Sequence, residues 1–293
     1  MKRLIKTSYQ QLLERYKISK LAIASLSEGL INRNLFHNVE KYCMFIGYPR
    51  SGHSLLGGLI DAHPNIILGN ELDALKYIEA GFRGLQIYYL LLKSSQYFIN
   101  QEKNLIPEAE IPKGRFKYIV PNQYNGKFTN LKIIGDKRGG GSTKRLKDNF
   151  EILSALESQI KVPIKIIHVV RNPFDNISSI YKKCISKSLE WSIDYYFNFC
   201  YANESIIKKI DSDQIFLLKL ESLIAEPKKN LKEITQSFLG VEVDDNYLKD
   251  CSSIVFDSPN KSRNKSPWNE QLIELTQRKI NKVSFLQGYN YDN

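Results

Sequence analysis

The chain has 293 residues, 42% of them hydrophobic, with 42 Lys and Arg against 31 Asp and Glu, and a net charge of +11 at pH 7. That apolar content excludes a disordered chain, and the length suits one α/β domain with insertions. The cation excess points to anionic partners such as a nucleotide, an acidic polymer or a membrane surface, while four dispersed cysteines, Cys43, Cys184, Cys200 and Cys251, suggest neither a zinc site nor a disulfide framework.

In chain order, residues 1–40 read as an N-terminal helical extension. Lys2, Arg3, Lys6, Arg15, Lys17 and Lys20 alternate with Leu4, Ile5, Leu12, Leu13 and Leu21, as in a basic amphipathic helix. Such a helix either packs on its own domain or makes peripheral contact with a membrane. Leu21 to Leu26 is too short to span a bilayer or act as a signal sequence, so a cytoplasmic location is expected.

Beyond the extension, apolar runs at Tyr42 to Gly47, Asn65 to Leu68, Leu131 to Ile134, Ile164 to Val170 and Gln214 to Leu220 predict strands. Helical patterns fall between and after them: Ser54 to Asp61, Leu72 to Asn100 broken near Gly81 and Gly84, Thr143 to Gln159, Phe174 to Ser186, Leu189 to Ile210, Pro227 to Leu239 and Pro267 to Leu286. Ile106 to Asn130, with three prolines, reads as an excursion from the sheet. The alternation implies an α/β fold in three layers, a central parallel sheet flanked by helices. Ligands of such sheets bind beyond the carboxyl ends of the strands. Arg50 to Ser54, Gly69 to Asp73, Asp136 to Gly141 and Arg171 to Asp175 should therefore meet in one cleft.

The first of these segments is the most telling. Gly47 and Gly52 stand at the spacing of a G-x-x-x-x-G-K-[ST] phosphate loop, whose amides and following helix N-terminus face an anion. His53 occupies the lysine position, and Arg50 is the nearest fixed cation. A nucleoside triphosphatase or kinase would need that lysine and an aspartate ending the Ile164 to Val170 strand to hold Mg²⁺; both are missing, so no metal is expected. The segment Arg171-Asn172-Pro173 places a second arginine at the mouth of a buried strand, with Ser179 eight residues on. Pro173 and Asp175 are ordinary helix-start residues, but the arginine suits a bidentate phosphate contact. Phosphate devices at two places imply a ligand carrying phosphate at two places.

These segments together resemble the sulfotransferases that use 3′-phosphoadenosine 5′-phosphosulfate. Gly47-Tyr48-Pro49-Arg50-Ser51-Gly52-His53-Ser54 is similar to the family's 5′-phosphosulfate loop, and Arg171-Asn172-Pro173 with Asp175 and Ser179 to its 3′-phosphate motif. Leu220-Glu221-Ser222-Leu223, Pro227, Leu231, Phe238-Leu239-Gly240 and Arg263-Asn264-Lys265 before Trp268 extend the likeness, which spans roughly Tyr42 to Tyr289. Pro49-Arg50-Ser51-Gly52, then Leu59 to Asn65 and Glu71, look closest to tyrosylprotein-type sulfotransferases and their bacterial relatives.

The resemblance implies a P-loop-like sulfotransferase domain over residues 41–293 and transfer of a sulfuryl group to an acceptor hydroxyl or amine. It puts catalysis on Glu71 as general base, Lys137 and Arg50. It puts the donor on Arg50, Ser51, Gly52, His53, Ser54 and Leu55 at the phosphosulfate, and on Arg171, Ser179 and Arg263 at the 3′-phosphate. His53, where the family usually has threonine, is an alternative base. Gly139-Gly140-Gly141 is atypical and reads as a lid or as a loop of unusual dihedrals. Lys144, Arg145 and Lys147 read as a solvated helix face that an anionic acceptor would exploit. Asp73 and Asp136 suggest only a cap or a substrate contact, and His168 a core position. The acceptor, whether small molecule, glycan or peptide, is not specified, nor is the oligomeric state; no nucleic-acid partner is expected. The reading from a different class is a noncatalytic anion- or membrane-binding protein on a degenerate nucleotide fold.

Overall fold

Five strands make one parallel sheet in the computed structural model, which describes residues 2–104, 118–184 and 186–293 and side chains from Tyr16 on, excepting 103–117 and 185. They are β1 Lys41–Ile46, β2 Ile66–Asn70, β3 Ile133–Lys137, β4 Ile164–Val170 and β5 Ile215–Lys219, in the order β2-β3-β1-β4-β5. β1 is central because its side chains alternate between two cores. Cys43 and Phe45 pack with Leu55, Leu56 and Leu59 of α2 (His53–Asp61), whereas Tyr42, Met44 and Ile46 pack on the opposite face. β4, the continuous β-branched run, is buried on both faces, as a parallel sheet requires.

α1 (Lys2–Ile31) docks through Ile18, Leu21 and Ala22 onto the core that includes Ile87 and Leu91. The side chains of residues 2–15, which carry most of the expected basic amphipathic pattern, lie outside the described part, as do residues 105–117 of the expected excursion. No described helix is long and apolar enough to cross a membrane. Between β2 and β3 come α3 (Ala74–Glu79) and α4 (Gly84–Asn104), separated at the expected break.

The single helix expected over Thr143 to Gln159 is two, α5 (Gly139–Asp148) and α6 (Ile152–Ile160), because Asn149 is extended (φ −148°, ψ 99°) and breaks the run. Gly139, Gly140 and Gly141 form the first turn of α5, neither a lid nor a loop of unusual dihedrals. Their lack of side chains permits close approach: a Cβ on Gly139 would lie 3.5 Å from the His53 ring, and one on Gly141 only 2.3 Å from Arg138 Nε. Arg145 is not solvated either; its Nε and Nη2 reach the Asp73 carboxylate at 2.7 and 2.9 Å, and Nη1 pairs with Glu79.

After β4 come α7 (Pro173–Lys183), capped by the Asn172 side chain, and α8 (Leu189–Ile207). A short helix the sequence did not announce, α9 (Leu220–Ala225), follows β5, and the helix expected over Pro227 to Leu239 is α10 (Pro227–Lys232) continued by a π-helical turn over Glu233–Phe238. α11 (Asp245–Ser253), also unanticipated, and α12 (Glu270–Ile280) complete the fold; the expected helix from Pro267 to Leu286 stops at Ile280. His168 is fully buried beside Tyr48 and Phe285, where burial holds its ring down at about 3 and hence neutral.

Candidate active site

The loop from β1 into α2 turns through two left-handed residues, Arg50 (φ 72°) and Gly52 (φ 97°). Leu55 N–H bonds Gly52 O at 3.0 Å, but among the described residues the amides of Ser51, Gly52, His53 and Ser54 have no acceptor. An open helix N-terminus with successive free N–H groups favours an anion. The loop's shape is held from outside. Thr143 Oγ1 accepts from Gly47 N–H at 2.9 Å and lies 2.6 Å from Asn203 Oδ1, while Asn176 Nδ2 donates to Pro49 O at 3.0 Å. The Ser51 hydroxyl lies 3.1 Å from His53 Nδ1. The His53 ring therefore does not stand in for the missing lysine, and burial, reinforced by Lys137, holds it down at about 4 and neutral.

A Cβ on Gly52 would sit 2.7 Å from Leu220 Cδ1, in a conformation that side-chain-bearing residues disfavour. Gly52→Ala is expected to cost on the order of 1–3 kcal/mol and to distort the amide cradle, read as a lower Tm together with weaker nucleotide binding.

Beyond the loop lies a carboxylate held by cations. Glu71 ends the β2 connection in a left-handed conformation (φ 57°), a strained state for a residue with a side chain. Lys137 Nζ, at the end of β3, reaches Glu71 Oε1 at 3.3 Å and Ser54 Oγ at 3.1 Å. Arg138 Nη1 donates to Glu71 O at 3.2 Å. Burial pushes the Glu71 carboxyl up, but the Lys137 ammonium, with His53 and Arg138, outweighs it and keeps the group below the usual 4.5. Burial likewise pulls the Lys137 ammonium down, and Glu71 opposes that. Asp136 accepts from Ala74 N–H at 2.8 Å and Leu72 N–H at 3.2 Å, so it fixes the backbone that carries Glu71. Asp136 thus caps the start of α3, one of the two roles its position suggested, while the Arg138 contact was missed, since β3 continues through Asp136 and Lys137 where the apolar run alone stopped at Ile134.

The second anion device sits at the end of β4. Arg171 Nη1 donates to Ser179 Oγ at 3.2 Å and to Arg50 O at 3.4 Å, joining the two loops, and Nη2 donates to Asn260 O at 2.6 Å. Lys182 Nζ donates to Ser262 O at 3.2 Å beside them. Arg263 is different. Its Nη2 and Nε reach the Asp175 carboxylate at 2.7 and 3.1 Å, and Nη1 bonds the carbonyls of Asn290 and Tyr291, with both charged side chains almost fully buried. Arg263 thus lies outside the cleft and ties the 260–265 segment to α7.

These elements enclose a cleft of about 970 Å³. Arg50, Gly52, His53, Ser54, Leu55, Glu71, Arg171 and Ser179 line it; Ser51, Lys137 and Arg263 stand behind the lining. Its remaining wall mixes Tyr195 and Phe199 with Arg138, Lys144 and Lys183. Among the described residues, no group of three or more His, Cys, Asp or Glu is placed to hold a metal ion.

The family model described as "Sulfotransferase domain" matches residues 40–285. Among solved structures, the sulfotransferase domain from the curacin biosynthetic pathway aligns at 13% identity over 84% of this chain and 98% of its own, with a TM-score of 0.51. The sulfotransferase domain of the Synechococcus PCC 7002 olefin synthase aligns at 19% identity over 82% and 88%, with a TM-score of 0.47. Mouse sulfotransferase SULT7A1, solved in complex with PAP, aligns at 16% identity over 79% and 69%, with a TM-score of 0.41. Of these, only the curacin-pathway domain exceeds a TM-score of 0.5, and at 13% identity it speaks to fold alone; no curated protein sequence matches the chain. The family model covers most of the chain, with the phosphate loop, Glu71, Lys137 and the Arg171 motif inside the matched span, and on that ground the chain belongs to the sulfotransferase domain family.

Proposed function

We propose that the donor is 3′-phosphoadenosine 5′-phosphosulfate and that the chain transfers its sulfuryl group to an acceptor hydroxyl or amine, with Glu71 as general base. The observation that carries this reading is the pair of adjoining anion devices lining one cleft: the open α2 N-terminus with Arg50, and Arg171 with Ser179. Residues 41–293 are the catalytic domain on this reading, and residues 1–40 an extension.

The free amides of Ser51 to Ser54 would hold the phosphosulfate, and Arg171 and Ser179 the 3′-phosphate. Loose sulfuryl transfer, like phosphoryl transfer, leaves the protein positioning and charge stabilisation rather than covalent work. Glu71, kept ionised by Lys137, takes the acceptor's proton as the acceptor atom bonds sulfur. Lys137 and the loop amides stabilise the charge left on the departing phosphate oxygen, worth about 3–4 kcal/mol for a well-placed donor. Neutral His53, already engaged with Ser51 and held near 4, is the weaker base. The finer likeness to tyrosylprotein-type enzymes rests on Arg50 and Glu71 and does not name the acceptor.

Arg171→Ala is expected to weaken 3′-phosphoadenosine 5′-phosphate roughly 10- to 100-fold, the worth of a charged hydrogen bond, and to leave AMP, which lacks the 3′-phosphate, little changed. Calorimetric titration of both nucleotides reads the difference, and Ser179→Ala gives a smaller effect of the same kind. Equal losses for the two nucleotides would remove Arg171 from the 3′-phosphate.

A further inference from the structure

The outer face of α1 carries an apolar stripe that the fold leaves uncovered. Tyr16, Ile23 and Leu30 recur every seven residues with Leu26 between them, so they share one side of the helix, and they are 58, 74, 52 and 41% exposed in the order named. The opposite side is used: Ile18, Leu21 and Ala22 pack into the core, Ser25 is buried, and Gln86 Nε2 of α4 donates to Ala22 O at 2.8 Å. The stripe is therefore not a docking face left half-made. In sequence the same spacing continues back through Tyr9, Leu12 and Ile5.

Charge selects the occupant. Lys17 and Lys20 are exposed beside the stripe, Lys20 lying over the Tyr16 ring at 4.8 Å. Residues 1–31 hold Lys2, Arg3, Lys6, Arg15, Lys17 and Lys20 against Glu14 and Glu28. Glu28, the one acidic residue of the described side chains on α1, is engaged by Asn32 Nδ2 at 3.3 Å. A second copy packing stripe to stripe would bring Lys20 against a partner helix whose sequence is rich in cations, with no carboxylate among the described side chains of α1 beside the seam to answer it. An apolar face flanked by lysine instead matches the boundary between headgroups and acyl chains of an anionic bilayer.

We propose that α1 is a lipid-surface helix: Tyr16, Ile23, Leu26 and Leu30 enter the interface of a membrane containing anionic phospholipids, and Lys17 and Lys20 engage the headgroup phosphates. This binding is independent of the transfer chemistry, since none of these residues lines the cleft.

The test is co-sedimentation of the full chain with vesicles of phosphatidylcholine alone and of phosphatidylcholine mixed with phosphatidylglycerol. The chain binds the mixed vesicles, releases in high salt and ignores the neutral ones. Lys17→Ala/Lys20→Ala weakens partitioning about 25-fold, since each lysine near an anionic surface is worth about a five-fold change. Ile23→Glu/Leu30→Glu abolishes binding. All four substitutions fall on exposed positions, and an unchanged Tm certifies the fold of each variant. Binding that survives Ile23→Glu/Leu30→Glu overturns the proposal, as does failure of the wild type to bind mixed vesicles. A dimer of the wild type in light scattering that Ile23→Glu/Leu30→Glu dissolves would assign the stripe to a second copy instead.

Discussion

Glu71→Gln is expected to lower kcat by roughly 100- to 10,000-fold, the usual worth of a positioned general base, while nucleotide affinity stays close to wild type. The amide keeps the shape that Lys137 and Arg138 grip but cannot take a proton. The sign of the pH dependence follows from what surrounds the carboxyl. Burial raises its pKa, and the Lys137 ammonium more than reverses that, so the acid limb of wild-type kcat lies below that of an ordinary carboxyl. Lys137→Met removes the opposing charge and leaves burial, so the acid limb of the profile moves up in pH and kcat falls as well. A Glu71→Gln enzyme with full turnover, or an acid limb unmoved by Lys137→Met, would take the base assignment away from Glu71.

The second large effect is on stability. Asp175 and Arg263 are a buried, bidentate pair, with side chains 2 and 3% exposed. Asp175→Ala leaves the guanidinium buried without its counter-ion and is expected to cost about 3–5 kcal/mol, lowering Tm by about 10 °C. Adding Arg263→Met should recover most of that, because removing both partners of a buried pair is often nearly neutral. Thermal melting of the single and double variants checks the cycle. A single variant as stable as wild type would show that the pair does not hold the 260–265 segment against α7.

The parallel sheet was legible because β4 is a run of β-branched residues with no polar alternation, and β1 leads straight into a glycine-bracketed turn. The same local signals brought Arg50, Ser54, Glu71, Arg171 and Ser179 to one cleft. What escaped the sequence depends on contacts far apart in the chain. Nothing local says that Asp136 holds the backbone of Leu72 and Ala74, or that Asp175 takes Arg263 out of the cleft. The glycine triplet misled for a related reason: its composition reads as loop, whereas the space it vacates is filled by His53 and Arg138, both visible only after folding.

Calorimetric titration of the wild-type chain with 3′-phosphoadenosine 5′-phosphate, ADP and Mg-ATP, each with and without added Mg²⁺, tests the central claim most directly. Tight binding of 3′-phosphoadenosine 5′-phosphate that is indifferent to metal and much stronger than that of ADP is the expected result. Preference for Mg-ATP would contradict the account and return the Gly47 to Ser54 loop to nucleoside triphosphate chemistry, and binding of none of the three would remove the donor site altogether.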